Sequence, residues 1–364
     1  MGVAAREGWR SPAKRQSLPR KAPLLALAFA VVLVALIALA ARAVLFPSDQ
    51  AAAGTWNLAA TGPRSLVHAF ARAPWGTLYA GSPQGVYASV DGGVTWRPVG
   101  HGLPGGEVWG LAAARDAGGD AVWAATEGGF VYRLHVGAGA WTRAGASIGT
   151  QSVYALLAPP SGGRAVILAG SDEGIFRSTD GGATWTRVAA IVGAVTTLAR
   201  DPAGGALYAG LAGLPDTLRV SRDGGLTWRT PGGRLPPPSV EALLTTPGHL
   251  YVGVMRTQGG EAVWSGRAGD AAGAAPLTAG LPGDSHGMAL AGTASSASSA
   301  SSSDPTLFVG TMGVGVYGKA AGGAWTRLGS GPGDGTVTAL LVVPGPRPVV
   351  LAGTSGGIYR LRLP

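Results

Sequence analysis

The sequence predicts an all-β chain, a seven-bladed β-propeller closed by pairing of its first and last strands and preceded by one N-terminal transmembrane helix. Three observations predict it. The strings "SVDGGVTW" (89–96), "STDGGATW" (178–185) and "SRDGGLTW" (221–228) repeat, with worn copies "VGAGAW" (136–141) and "KAAGGAW" (319–325). Their tryptophans, Trp96, Trp141, Trp185, Trp228 and Trp325, stand 45, 44, 43 and 97 residues apart, the last interval being about two periods. In step runs a second marker, a short apolar segment ending in a small residue: "LYAG" at 78, "VWAA" at 122, "ILAG" at 167, "LYAG" at 207, "LYVG" at 250, "LFVG" at 307 and "VLAG" at 350. A period of about 40–45 residues built from short strands and glycine turns is the signature of a four-stranded propeller blade. The 62 glycines and 13% charged residues also fit turns and strands better than helices.

From the N-terminus, residues 1–23 form a basic tail, expected in the cytoplasm. Seven basic residues against Glu7 alone lie in 1–46, so most of the formal net charge of +9 belongs to that end. The rest of the chain offers no basic groove for nucleic acid. Residues 24–46 read as a signal-anchor helix. Leu24 to Ala41 is an uncharged apolar run of eighteen residues, spanning about 27 Å as a helix against a hydrocarbon core of about 30 Å. The flanking charge places the N-terminus inside and the propeller outside the cytoplasm. The alternative is a cleaved signal peptide, for which "ARA" at 41–43 is a fitting cleavage site, although the apolar run is long for one. Residues 47–53 are a spacer and 54–364 the propeller.

Within each blade four strands, a to d, are drafted on the third copy: "VYALLA" (153–158), "VILAG" (166–170), "GIFRST" (174–179) and "TWTRV" (184–188). Glycine supplies positive φ between c and d. The Asp180 carboxylate accepts from turn N–H groups, and Trp185 is expected to bury its ring between sheets. The last repeat, "VLAGTSGGIYRLRLP", stops after strand c, whereas "GTWNLA" at 54–59 is a strand d with no c before it. Thr55-Trp56 is therefore expected to complete blade seven, removing an open edge. Blade five lacks the repeated box, leaving six blades as the alternative. The serine-rich stretch 293–305 cannot bury apolar area and reads as a mobile insertion between strands a and b of blade six.

The string Ser-x-Asp-x-Gly-x-Thr-Trp resembles the Asp-box, or BNR, repeat. The matching residues are Ser89, Asp91, Gly93, Thr95, Trp96, then Ser178, Asp180, Gly182, Thr184, Trp185, and Ser221, Asp223, Gly225, Thr227, Trp228. The resemblance implies a structural turn remote from any catalytic centre. Three groups carry it: sialidases, sortilin-like receptors, and the photosystem II stability/assembly factor group, whose spacing is most similar. A sialidase-like enzyme would need three arginines, for which Arg64, Arg115 and Arg200 are candidates, but the Arg-Ile-Pro motif is missing. None of Glu107, Glu127, Glu173, Glu241 and Glu261 stands in a recognisable pair with a tyrosine.

Other chemistries find less support. There is no cysteine, and His68, His101, His135, His249 and His286 lack metal-ligand spacing, so neither metal nor cofactor is expected. "GVGVYG" at 313–318 matches a phosphate-loop pattern in letters, but a strand should follow it. No Gly-x-Ser-x-Gly elbow occurs. The remaining reading is a non-catalytic scaffold for a protein partner or membrane-complex client. Arg115, Arg200, Arg234, Arg256 and Trp109 are its candidate contacts, on the face where the d–a and b–c connections emerge.

Overall fold

The computed structural model describes residues 54–363, except 160–165, 190, 214–216, 233–238, 256–261, 269–273, 284, 294–304 and 333–334. The expected anchor at 24–46, its basic tail and most of the serine-rich insertion lie outside the described residues. Among the described residues no helix is long and apolar enough to cross a membrane.

Seven antiparallel sheets follow one another along the chain. Blade 1, for example, comprises Ala69–Arg72, Leu78–Ser82, Gly85–Ser89 and Arg97–Pro98, in spatial order a-b-c-d. Blade five is a full sheet, Val240–Thr246, His249–Val254, Val263–Arg267 and Ala275–Pro276, which removes the six-blade alternative. Each inner strand a touches the inner strands of both neighbouring blades, and the inner strand of blade 7 touches that of blade 1, so the ring is closed.

Closure occurs at the expected place but two residues later than drafted. Asn57–Leu58 pairs with Gly357–Arg362 as the outer strand of blade 7, through Asn57↔Arg360 and Leu58↔Tyr359. The shift is systematic: the paired part of strand d in blade 3 is Thr186–Arg187, after Trp185 rather than from Thr184. Thr184 stays in the turn, and the tryptophan is the pivot between turn and strand. Trp56 accordingly sits in the seam between blades 6 and 7, 8% exposed, with Nε1 donating to Leu328 O at 2.7 Å. Blade 4 keeps three full strands. Its outer one shrinks to the bridge Val220↔Arg229, because Pro231, two residues on, has no N–H for the next bond of the ladder.

The small residue that ends each strand b has a packing cause. In five of the seven seams the valine at the start of the next blade lies directly over it, whereas Gly253 of blade 5 meets Gly287 O instead. An added Cβ at Gly81 would lie 2.9 Å from Val108 Cγ1, at Gly170 2.7 Å from Val195, at Gly210 2.4 Å from Val240, at Gly310 2.5 Å from Val337 and at Gly353 2.8 Å from Val67. These valines are at most 1% exposed. A glycine hole and a valine knob thus lock successive blades at these five seams, and each seam removes apolar surface from water.

"GVGVYG" resolves as a turn leading into the strand Val316–Lys319, without a helix. The serine-rich insertion falls between strands a and b of blade 6, as expected. Its two ends are tied together, Thr293 N donating to Thr306 O and Thr306 N to Thr293 Oγ1, both at 3.0 Å.

Candidate functional site: the clasps and the channel mouth

Alternation of strand direction gives the ring two faces. The a–b and c–d turns emerge on one, the clasp face; the b–c turns and d–a links emerge on the other, the mouth face.

On the clasp face the three full motifs fold alike. In blade 1, Ser89 Oγ donates to Asp91 Oδ1 at 2.8 Å and accepts from Gly93 N at 2.9 Å. Asp91 also accepts from the N–H groups of Val94 and Thr95 and from Thr95 Oγ1 at 2.5 Å. Slight burial pushes the Asp91 carboxyl upward, but the hydrogen bonds from Thr95, Ser89 and Val94 outweigh it and hold the pKa at about 2. Asp223, bound foremost by Thr227, is also held at about 2. Asp180 is lowered likewise: burial raises it, and the bonds from Thr184 and Ser178 prevail. Every acceptor position faces a donor of its own turn, so the motif is a clasp. Gly93 takes φ +85°, and a Cβ there would lie 2.7 Å from Leu351 in strand b of blade 7.

The tryptophans of the clasps differ. Trp96 (1% exposed) and Trp228 (8%) donate Nε1 to Gly93 O and Gly225 O of their own turns. Trp185, expected to be buried, is only half-buried and donates instead to Ala144 O at 3.1 Å. The cause lies in blade 2. Where blades 7 and 3 carry Leu351 and Leu168 under the neighbouring clasp, blade 2 carries Trp123, fully buried, whose Nε1 donates to Gly181 O at 2.9 Å. Its indole fills the space and binds the turn at Gly181 O, one residue before the carbonyl position that Trp96 and Trp228 use, and Trp185 lies farther out.

Two of the arginines expected on the mouth face lie on the other one. Arg115 and Arg200 stand at the ends of inner strands, where the a–b turns begin. Arg115 is 71% exposed and bound to Asp120 Oδ1 at 2.8 Å across its own hairpin. Arg200 borders a cleft of about 160 Å³ between blades 3 and 4 with Arg177 and Gly224. A strand ends one face away from where it starts, and following strand a means the clasp face. Arg64 lies on the link into blade 1, donating to Ala59 O at 2.9 Å and Ala60 O at 3.2 Å. Arg64, Arg115 and Arg200 therefore do not converge, and a three-arginine carboxylate site is not assembled from them. Arg234 and Arg256 lie outside the described residues.

Trp109 stands at the mouth-face end of the inner strand of blade 2, within a device that the sequence reading missed. In blades 2 to 7 the pairing of strands a and b skips one residue near its start: Trp109, Tyr154, Thr196, Glu241, Met288 and Thr338. Such β-bulges re-aim a side chain. In blade 1 the ladder begins at Ala69↔Gly81, the register at which the others resume, so His68 takes the same place. Seven side chains thus ring the mouth. The recurring strings VHA, VWG, VYA, VTT, VEA, GMA and VTA were the available signal.

The ring is uneven. On blades 1 to 3 it is aromatic: His68 and Trp109 rings lie 4.1 Å apart, and Trp109 and Tyr154 meet edge-on at 6.1 Å. His68, with its side chain 7% exposed, brings Nε2 to 2.6 Å from Glu107 Oε2, out of line for a straight hydrogen bond. Burial raises the Tyr154 hydroxyl pKa, as does the nearby Asp172, against a bond with Ser152. Asp172 Oδ1 accepts from Ser152 N at 3.3 Å, and Glu127 bridges Ser152 through the backbone. On the other side Thr338 seals the seam to blade 1, donating to Val67 O at 2.7 Å, and Thr196 donates to Val240 O likewise. Burial raises the Glu241 carboxyl, opposed by Ser239 Oγ. Farther out, the repeated Trp-Thr-Arg places Arg143 over the Phe130 ring at 3.7 Å, Arg187 on Glu173 O at 2.7 Å and Arg327 on Ser330 O at 3.0 Å. The mouth face therefore has an aromatic and acidic centre and arginines at its rim. Among the described residues no group of three His, Asp or Glu could hold a metal ion.

No protein-family model matches the chain, and no curated protein matches it. Solved structures do. The chain superposes on YCF48 bound to D1 peptide with a TM-score of 0.63 and 15% identity, covering 87% of this chain and 97% of that one. The GH74 enzyme of Niastella koreensis gives 0.60 and 17%, and the GH74 xyloglucanase of Xanthomonas campestris 0.61 and 20%. The match covers 82% and 85% of this chain but only 43% and 53% of those enzymes. The extracellular domain of a hybrid two-component system from B. thetaiotaomicron gives 0.64 at 11% identity, over 85% of this chain and 40% of that one. At such identities the likeness is one of fold, and this fold is shared by enzymes and non-enzymes alike.

Proposed function

We propose that the chain is a membrane-anchored, extracytoplasmic propeller that binds a protein partner on its mouth face and carries out no reaction, resembling the photosystem II stability/assembly factors in role. The observation that carries this reading is the mouth face itself. Rigid strands, locked blade to blade, hold an aromatic and acidic centre within an arginine rim. Aromatic side chains and arginine dominate the energetics of protein contacts. YCF48, whose whole length this fold matches, was solved with a peptide bound. The clasp geometry supports the Asp-box assignment, since each motif residue is spent on its own turn. The apolar run at 24–41 supports the anchor and the outward placement of the ring.

The test is crosslinking in native membranes with a photoreactive residue at position 127 on the mouth face, against one at position 115 on the clasp face. A defined protein captured from 127 and not from 115 is the expected result. Capture of no consistent protein, or equal capture from both faces, contradicts the reading. A glycosidase reading draws on the GH74 fold likeness. Hydrolysis of a fluorogenic sialoside or xyloglucan oligosaccharide, abolished in Arg64→Ala, would establish it; no turnover is expected.

A further inference from the structure

We propose that the sector of the mouth formed by blades 1 to 3 receives one cationic side chain, a lysine or arginine, of the partner. The inference rests on the scaffold reading above and names the chemistry of its central contact. Four observations lead to it. The arc His68–Trp109–Tyr154 presents touching rings from three successive blades, and aromatic faces attract cations. The carboxylates of Glu107, Glu127 and Asp172 belong to the same sector, on the link into blade 2 and on the b–c turns of blades 2 and 3. None of the three forms an ion pair with an arginine or lysine among the described residues. Arg187 donates to the carbonyl of Glu173, next in sequence to Asp172, and not to a carboxylate.

The third observation is the indole N–H of Trp109. Those of Trp56, Trp96, Trp123, Trp141, Trp185, Trp228 and Trp325 all donate to backbone carbonyls. That of Trp109, like that of Trp75 on the a–b turn of blade 1, is buried and has no hydrogen-bond acceptor among the described residues, and of these two only Trp109 belongs to this sector. A buried donor without a partner is costly, and a main-chain carbonyl beside an inserted side chain would supply the acceptor. The fourth is preorganisation. The His68 side chain is 7% exposed and held against Glu107, and the backbone bulges seat Trp109 and Tyr154, so little side-chain freedom remains to be lost on binding. A saccharide could stack on the same rings but would leave three carboxylates without a counter-charge.

The test uses the full chain in detergent and Nα-acetyl-arginine N-methylamide as the probe, followed by the indole N–H resonances. A saturable millimolar shift of one indole signal, absent in Trp109→Phe, is expected. The uncharged citrulline analogue should bind at least fivefold more weakly, and Glu107→Gln should weaken the arginine probe by a similar factor. Glu107→Gln is read on the native tryptophan, so the test stands even if Trp109→Phe does not fold. An equal response to citrulline, no saturation, or saturation by maltotriose but not by the arginine probe overturns the proposal. Capture of a partner by crosslinking while the probe fails removes this inference and leaves the scaffold reading. Binding of the probe without a captured partner does the reverse.

Discussion

Trp96 and Trp185 occupy equivalent letters of the same motif, yet their surroundings differ by one residue in the neighbouring blade. Under the clasp of Trp96 lies Leu351; under that of Trp185 lies Trp123, whose larger ring fills the space and binds the turn itself at Gly181 O. Trp96→Ala should therefore cost about 3–5 kcal/mol, as for a fully buried aromatic ring. Trp185→Ala should cost distinctly less, because its ring is half-buried. Denaturant unfolding of both variants checks this, and equal losses would contradict the displacement. Sequence could assign every clasp residue its hydrogen-bonding duty, since donor and acceptor belong to one turn. It could not rank the tryptophans, because burial depends on a residue some sixty positions away.

At the level of strands, five of the seven seams set a valine into a glycine hole. Gly210→Ala puts a Cβ 2.4 Å from Val240 and 2.6 Å from Thr197 Cγ2, both on the inner strands that fix the ring. Overpacking of that kind costs about 1–3 kcal/mol. A lowered midpoint in urea is expected, and pairing the change with Val240→Ala should restore part of the loss. The seven strands b were legible because each repeats an apolar run with its small terminal residue. The closing strand was legible because a lone strand d at one end answered a missing one at the other. The bulges were not, since an extra residue in a ladder leaves hydrophobic alternation almost intact. The faces of Arg115 and Arg200 were lost for a related reason: position in a strand fixes the face only once strand direction is tracked through every turn.

Across the whole molecule, the clasps couple the ring to pH. The folded pKa values of Asp91 and Asp223 lie at about 2, and that of Asp180 is lowered, below the ordinary value of about 3.9. Their stabilisation is complete above roughly pH 5 and is lost as pH falls through 4 towards 2. The melting temperature should decline over that window. A variant carrying Asp91→Asn, Asp180→Asn and Asp223→Asn should start lower at pH 7 and decline less, because its clasps have no carboxylate left to protonate. Parallel melting curves for the two proteins would contradict this. The closing strand has a different consequence, for mechanics. Its outer strand pairs at only two positions and is pinned chiefly by the Trp56 ring in the seam between blades 6 and 7. Tension applied through the residues before Gly54 would bear on that short strand alone. It would peel away residue by residue while six blades remained unloaded, making the latch of the ring a fuse that yields to force before the rest.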